Sequence, residues 1–139
     1  MPLRAMLMSH AERPHDTEAV ARAVLGAATC AETCTICADA CLVEPNPTDL
    51  KSCIRMCLDC ADICSATARV LGRPTWSEPA RPVIAAQMAA CALACRACAL
   101  ECARHAEHHA HCRICMEACE ACALACADLL KTLPMAEAA

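Results

Sequence analysis

The 139-residue sequence contains no phenylalanine or tyrosine, one tryptophan, Trp76, and only two glycines. Without aromatic rings, the interior has to be built from small aliphatic side chains and from thiols, which pack as compact hydrophobic groups. Abundant alanine and scarce glycine favour helices, because alanine has the highest helix propensity and glycine one of the lowest. We therefore expect no β-sandwich or barrel, and the length fits a single domain.

Basic residues are too few for nucleic-acid binding. The chain has 12 Lys and Arg and 16 Asp and Glu, a formal net charge of −4, whereas phosphate binding depends on a basic surface. Charged residues interrupt the apolar runs before the ~20 residues that a bilayer crossing needs. Residues 1–15 contain neither the apolar segment of a signal peptide nor a twin-arginine motif. We expect a cytoplasmic protein without a membrane or nucleic-acid partner.

Cysteine, in contrast, occurs 17 times. In a reducing cytosol so many thiols indicate metal or redox chemistry rather than disulfide bonds, and an odd number cannot pair completely. One spacing, of four, three and four residues, occurs four times, and Cys112 lies three residues ahead of the last set. The four sets are Cys30, Cys34, Cys37 and Cys41; Cys53, Cys57, Cys60 and Cys64; Cys91, Cys95, Cys98 and Cys102; and Cys115, Cys119, Cys122 and Cys126. Such steps place side chains on one face of an α-helix, so each set predicts a helix with a thiol face.

Capping residues and prolines separate these segments. Asp16 can cap the first helix, and Pro45 follows its end. Asn46, followed by proline, predicts the start of the second helix, and Gly72 its end. We expect helices over residues 17–43, 47–71, 82–106 and 110–132, an N-terminal extension over 1–15 that can hold a short helix, and a tail over 135–139.

Four such helices with short connections predict an all-α fold, an antiparallel four-helix bundle with a cysteine-lined core. Residues 82–132 are alternatively one helix, because residues 103–111 contain neither glycine nor proline. That helix would be too long to bury its second half in one small domain.

The antiparallel arrangement predicts four layers of sulfur. They are Cys30, Cys64, Cys91 and Cys126; Cys34, Cys60, Cys95 and Cys122; Cys37, Cys57, Cys98 and Cys119; and Cys41, Cys53, Cys102 and Cys115. Leucine and methionine extend the thiol faces beyond the first layer. Beyond the fourth layer lie His105 and His109, with His108 and His111 close by in sequence. One end is thus expected to be apolar and the other to bind metal.

Soft thiolates bind Cu(I), Zn(II) and iron–sulfur clusters. Zinc and ferredoxin sites usually place their CxxC segments in turns, whereas these segments lie inside predicted helices. Cu(I) needs only two thiolates, and one sulfur can bridge two ions, so a column of thiols can hold many ions. We expect the metal-free chain to be helical, with protonated thiols that exchange protons for Cu(I). A zinc reservoir or an iron–sulfur or redox protein is the alternative. No catalytic triad or cofactor motif accompanies the thiols, so we do not expect an enzyme.

The four CxxxCxxCxxxC segments, within residues 17–133, resemble those of the copper storage proteins, which are cysteine-rich four-helix bundles. Without an export signal, the chain is similar to the cytosolic branch of that family. The resemblance implies Cu(I) storage, thiolate ligation by all seventeen cysteines and a homotetramer. It also implies help from histidine and methionine at the open end of the bundle, where His105 and His109 are the candidate ligands. A copper chaperone is a candidate partner.

Overall fold

The computed structural model describes residues 2–133, and all regular secondary structure in this part of the chain is helical. A short helix, α1, covers Leu3–Ser9. The long helices are α2 (Thr17–Leu42), α3 (Lys51–Leu71), α4 (Ala80–Ala103) and α5 (Ala110–Thr132). The expectation of an all-helical chain is confirmed. The predicted tail, residues 135–139, lies outside the described residues.

The first two long helices begin in different ways. The carboxylate of Asp16 accepts a hydrogen bond from the N–H of Ala19 at 3.0 Å and so caps α2, as expected. Asn46, in contrast, makes no capping bond with its side chain, and Pro47–Leu50 form a 3₁₀ turn ahead of α3. Asn46 with Pro47 therefore marks the start of this helical segment, as expected, although the Asn46 side chain does not cap it. The tight turn satisfies the backbone instead, with the N–H of Asp49 bonded to the Asn46 carbonyl at 3.1 Å.

A turn separates α4 from α5. The third predicted helix, 82–106, in fact begins at Ala80 and ends at Ala103. Beyond it, the N–H of His105 bonds the carbonyl of Cys102 at 3.0 Å, and the backbone of His109 is extended. The alternative of one continuous helix over 82–132 is therefore wrong, because the chain leaves the helical conformation between α4 and α5.

Each long helix packs against two others. Helix α2 contacts α3 and α5, and α4 contacts the same two helices, so that the four close a ring. Cys53 contacts Cys102, and Cys64 contacts Cys91, both at 3.8 Å, which shows that α3 and α4 run in opposite directions. The order of the contacts between α2 and α5 shows that these two helices also run in opposite directions. All four thiol faces therefore meet inside the ring.

Buried residues form two clusters along this ring. The first, here called the sulfur core, holds all seventeen cysteines together with alanines and Leu50. The second, here called the apolar end, holds alanines and larger apolar residues: Leu7, Val20, Val24, Leu71, Ile84, Met88 and Leu129. Leu7 comes from α1, which packs on α2 at this end. The expectation of an apolar end is confirmed.

Helices α2 and α4 are long and apolar enough, by length and composition, to cross a membrane. The charges in their sequences therefore do not exclude a membrane span, contrary to our expectation. Core helices of soluble proteins have the same composition, and the thiol faces of α2 and α4 are buried inside the protein.

Candidate metal centre

All seventeen cysteines are buried and none forms a disulfide. No cysteine is more than 1% exposed. The inward face of every long helix contributes to the core, and neighbouring sulfur atoms on different helices lie 3.5–3.9 Å apart. The sulfurs therefore form one continuous column along the inside of the ring.

The sulfur atoms also form groups of four whose members lie within 4.8 Å of one another. One group takes a single cysteine from each long helix: Cys34, Cys57, Cys98 and Cys115. The next group shares Cys57 and Cys115 with it and adds Cys37 and Cys102. Because adjacent groups share members, a sulfur in this column can contact two neighbouring metal ions.

The predicted layers hold for α3 against α4. The pairs Cys64–Cys91, Cys60–Cys95, Cys57–Cys98 and Cys53–Cys102 are each 3.8 Å apart. Helix α5 joins the first layer as predicted, since Cys126 lies 3.8 Å from Cys91. The antiparallel pairing rule therefore gives the correct register for these contacts.

Helix α2 is displaced from its predicted position by one cysteine step along α4 and by one to two steps along α5. Cys30 lies 3.5 Å from Cys119 and 3.9 Å from Cys95, instead of beside Cys91 and Cys126. The predicted layers of the α2 cysteines are therefore wrong against α4 and α5. Against α3 they hold, since the four-sulfur groups pair Cys30 with Cys64, Cys34 with Cys60, Cys37 with Cys57 and Cys41 with Cys53. The thiol spacing repeats along each helix, so a shift of one step still brings sulfur against sulfur and the pattern cannot fix the register.

Small residues lie on α2 next to α5 near the apolar end. There α2 presents Gly26 and Ala27 rather than a cysteine. A Cβ atom at Gly26 would lie 3.5 Å from the Cα of Cys122, an ordinary van der Waals distance. The glycine therefore does not by itself fix the register of α2.

At the opposite end, His111 contacts the outermost sulfur group, which comprises Cys37, Cys41, Cys53 and Cys112. Its Nδ1 atom lies 3.5 Å from Cys37 Sγ, 3.6 Å from Cys112 Sγ and 3.9 Å from Cys41 Sγ. Its Nε2 atom lies 3.1 Å from a carboxylate oxygen of Glu44. An ionised carboxylate only accepts hydrogen bonds, which assigns the proton to Nε2 and leaves the Nδ1 lone pair facing the sulfurs.

The two predicted histidines lie farther out. His105 Nε2 is 3.8 Å from a Glu101 oxygen, and His109 Nδ1 is 3.5 Å from Glu44. Both line a cavity of about 450 Å³ with His108. Within residues 2–133, the hydrogen bonds between histidine and cysteine sulfur all involve His111. We call the region of His105, His108, His109 and His111 the histidine end.

The sequence analysis located the histidine end but did not single out His111. The prediction extended the thiol face of α4 through His105 and His109, whereas the turn after Ala103 breaks that face. A signal for His111 was present in α5. It lies four residues before Cys115, a spacing that places both on one side of a helix.

The profile of the family described as "Copper storage protein" matches residues 16–131. The chain belongs to the copper storage protein family. A structure of the copper storage protein Ccsp from Streptomyces lividans, loaded with 10 copper equivalents, is 47% identical with a TM-score of 0.89, and the match covers 94% of this chain and 99% of that one.

A second structure, of a cytosolic copper storage protein from Streptomyces lividans with five coppers, is 51% identical with a TM-score of 0.80, covering 84% of this chain and 96% of that one. The uncharacterized cysteine-rich protein YhjQ of Bacillus subtilis (strain 168) is 34% identical over 86 residues, which are 62% of this chain and 72% of that protein.

In this member of the copper storage protein family, two thiols at the outer end of the core have raised pKa values. Burial, followed by the charge of Cys53, raises the pKa of Cys41 to about 11. The same two causes raise the pKa of Cys112. Cys41 and Cys112 therefore hold their protons at neutral pH, and ionising every buried thiol without cations would be very costly.

Proposed function

We propose that this chain stores copper in the cytosol as Cu(I), bound by the thiolates of the sulfur core. The observation that carries the proposal is the column of free sulfurs, in which adjacent four-sulfur groups share members. Soft thiolates select Cu(I), and shared sulfurs bridge successive ions. The copper-loaded Streptomyces lividans relatives support both the metal and the compartment.

The sharing of sulfurs between adjacent groups favours Cu(I) over Zn(II), whereas the distances between the sulfur atoms fit either metal. Four sulfurs bound at ~2.3 Å around a tetrahedral zinc ion lie about 3.8 Å apart, which fits the core equally well. A structural zinc site, however, normally uses four ligands of its own. Groups that share Cys57 and Cys115 cannot all be such sites at once. Zinc ions would therefore fill only some of the four-sulfur groups at once, whereas bridging Cu(I) ions can bind to all the sulfurs of the column.

We propose all seventeen cysteines as ligands of the stored copper, as membership of the family implies. We add His111, whose Nδ1 atom faces the outermost sulfurs. His105 and His109 line the cavity outside this group, and we propose that they pass Cu(I) inward from solvent. Each ion that binds displaces thiol protons, so loading releases acid. No substrate is converted, and we propose no enzymatic activity.

The role of His105 and His109 can be tested by kinetics. Replacing both with alanine should slow Cu(I) uptake from a weak coloured chelator while leaving the final amount of bound copper almost unchanged. A variant His10→Ala, which changes a histidine outside the histidine end, is the matched control. Unchanged uptake rates in the double variant would remove both residues from the uptake path.

We further propose that residues 16–134 work as one antiparallel four-helix bundle with residues 1–15 as an extension, and that four copies associate. Leu93 and Leu100 support association, because they are 62% and 73% exposed and lie seven residues apart on the outside of α4. Leu124 of α5 is also exposed. A copper chaperone that delivers Cu(I) at the histidine end is the proposed partner. Sedimentation of the reduced protein tests the tetramer, and a monomer at all concentrations would contradict it.

The storage function itself is tested by anaerobic titration of the reduced protein. Cu(I) should bind to a stoichiometry above about ten ions per chain without colour, because each thiolate bridges. Zn(II) should saturate near four ions, the number of tetrahedral sites that the thiols can fill. A Cu(I) stoichiometry that stops near four, or a brown product with iron and sulfide, would contradict the proposal.

A further inference from the structure

A second cavity, of about 470 Å³, lies at the apolar end, away from the histidine end. It forms where the segment before α2, the loop between α3 and α4, and the last turn of α5 meet. Val20 and Leu129 line it and also belong to the apolar cluster, which separates it from the sulfur core. Copper storage gives this cavity no role.

Positive charge is concentrated at the cavity. Arg13, His15 and Arg81 line it, and Asp16 is the only acidic residue among its lining residues. The Asp16 carboxylate is already engaged as the cap of α2. Arg13 forms no ion pair with any residue that the structure describes. Two guanidinium groups therefore line a partly apolar space, and of the two only Arg81 has an acidic partner, Glu78.

The loop between α3 and α4 holds Arg81 in place at the cavity. Its Nη2 atom donates to the backbone carbonyl of Trp76 at 3.2 Å, and its Nη1 atom lies 3.7 Å from Glu78. These contacts leave other N–H donors of the guanidinium available, since the group carries five. Arg81 is therefore positioned to bind an anion.

Trp76 supplies an independent observation. Its ring lines the same cavity, and its indole N–H is buried without a hydrogen-bond partner in the described part of the chain. Because this N–H has no accessible surface, Trp76 offers the cavity an apolar surface rather than a hydrogen-bond donor.

We infer that this cavity binds a small organic carboxylate with an apolar body. The carboxylate pairs with the guanidinium groups of Arg13 and Arg81, which match its planar geometry. The apolar body lies against Val20, Leu129 and the ring of Trp76. The cavity volume falls in the range of small-molecule sites, and the combination of apolar walls with few polar groups is typical of them.

Intrinsic fluorescence tests this inference directly, because Trp76 is the one tryptophan and the chain has no tyrosine. Octanoate added to the reduced, metal-free full chain should shift the Trp76 emission and saturate. 1-Octanol, which has the same chain length without the charge, should need about tenfold higher concentration for the same shift. Acetate, which has the charge without the chain, should give no saturable shift.

Variants separate the charge from the apolar contact. Arg13→Gln with Arg81→Gln should weaken octanoate binding about tenfold or more and leave octanol binding unchanged. Arg13→Gln alone, at an exposed position that cannot disturb the fold, should weaken octanoate binding severalfold. Arg96→Gln, on the outside of α4, is the matched control and should bind octanoate like the parent.

Equal affinity for octanoate and octanol would overturn the inference and reduce the cavity to an apolar patch. Octanoate binding that survives the double substitution would overturn it as well. All these variants should bind the full amount of Cu(I), so copper titration of the same samples keeps this inference separate from the storage function.

Discussion

The sulfur core and the apolar end occupy the same inward faces of the same helices, yet they differ in what their side chains can do. Both are packed and buried. A thiol fills space like a small aliphatic group, but it can exchange its proton for a soft cation. Leucine at the same helical position only adds burial, worth about 1.5–3 kcal/mol per side chain. The residues that can bind metal and the residues that stabilise the fold by apolar packing therefore lie in different parts of the same helices.

The largest expected effect comes from removing all the sulfurs of one four-sulfur group. Replacing Cys34, Cys57, Cys98 and Cys115 with alanine should lower the bound Cu(I) by about one ion per thiol removed, because each of these sulfurs bridges neighbouring ions. Helical content should persist, since alanine packs in the space of a thiol and favours helix. Copper analysis after gel filtration measures the capacity. Full capacity in this variant would show that the core does not hold the copper.

The opposite change removes apolar packing and leaves the sulfurs. Leu129→Ala should lower the free energy of unfolding by ~2–5 kcal/mol, because a fully buried leucine leaves a cavity. The Cu(I) stoichiometry of the folded protein should not change. Leu58→Ala, at a position 48% exposed, is the control and should change stability by less than ~0.5 kcal/mol. Urea titration of the reduced protein checks both. If the bound copper fell in proportion to the free energy of unfolding, the two regions would not have separate roles.

A smaller effect is expected from a substitution of Glu44 at the histidine end. Glu44→Gln should slow Cu(I) uptake from a weak chelator about tenfold, because the carboxylate orients His111 with its Nδ1 atom toward the sulfurs. Glu107→Gln, an exposed change in the nearby turn, is the control. Stopped-flow absorbance of the chelator gives the rate. Equal rates in both variants would show that His111 needs no partner.

The smallest expected effect is a pH dependence of the metal-free fold. An unfolded thiol ionises near its ordinary pKa of 9.0, whereas folded Cys41 keeps its proton up to about 11. Between these values the unfolded chain holds fewer protons, so rising pH should lower the free energy of unfolding. Urea midpoints at about pH 8 and about pH 10.5 measure the decrease, and Cys41→Ala should reduce it. A midpoint that rises with pH would contradict this assignment.

Much of the fold follows from local sequence signals. Residues 110–132 were predicted as one helix, and α5 covers Ala110–Thr132, because the thiol spacing marks its face throughout. The Asp16 cap also follows from local chemistry. The register of α2 does not, since a repeating face can slide by one step without losing its contacts.

The candidate site, like the fold, was predictable from the sequence only in part. The cysteines could be assigned to the core because many equivalent positions gave one periodic signal. His111 was not chosen, because the prediction followed the thiol face of α4 through the turn that resets the helical phase, instead of extending the face of α5 back from Cys115. Its contact with Glu44 joins residues 67 positions apart, which no local pattern contains.

The most direct test of copper storage in the sulfur core is anomalous X-ray scattering at the copper edge from crystals of the Cu(I)-loaded protein. We predict copper peaks in a row along the inside of the helix ring, each between sulfurs of at least two helices, with the outermost beside His111. Copper found only on surface histidines or methionines, with the core thiols unchanged, would contradict the account.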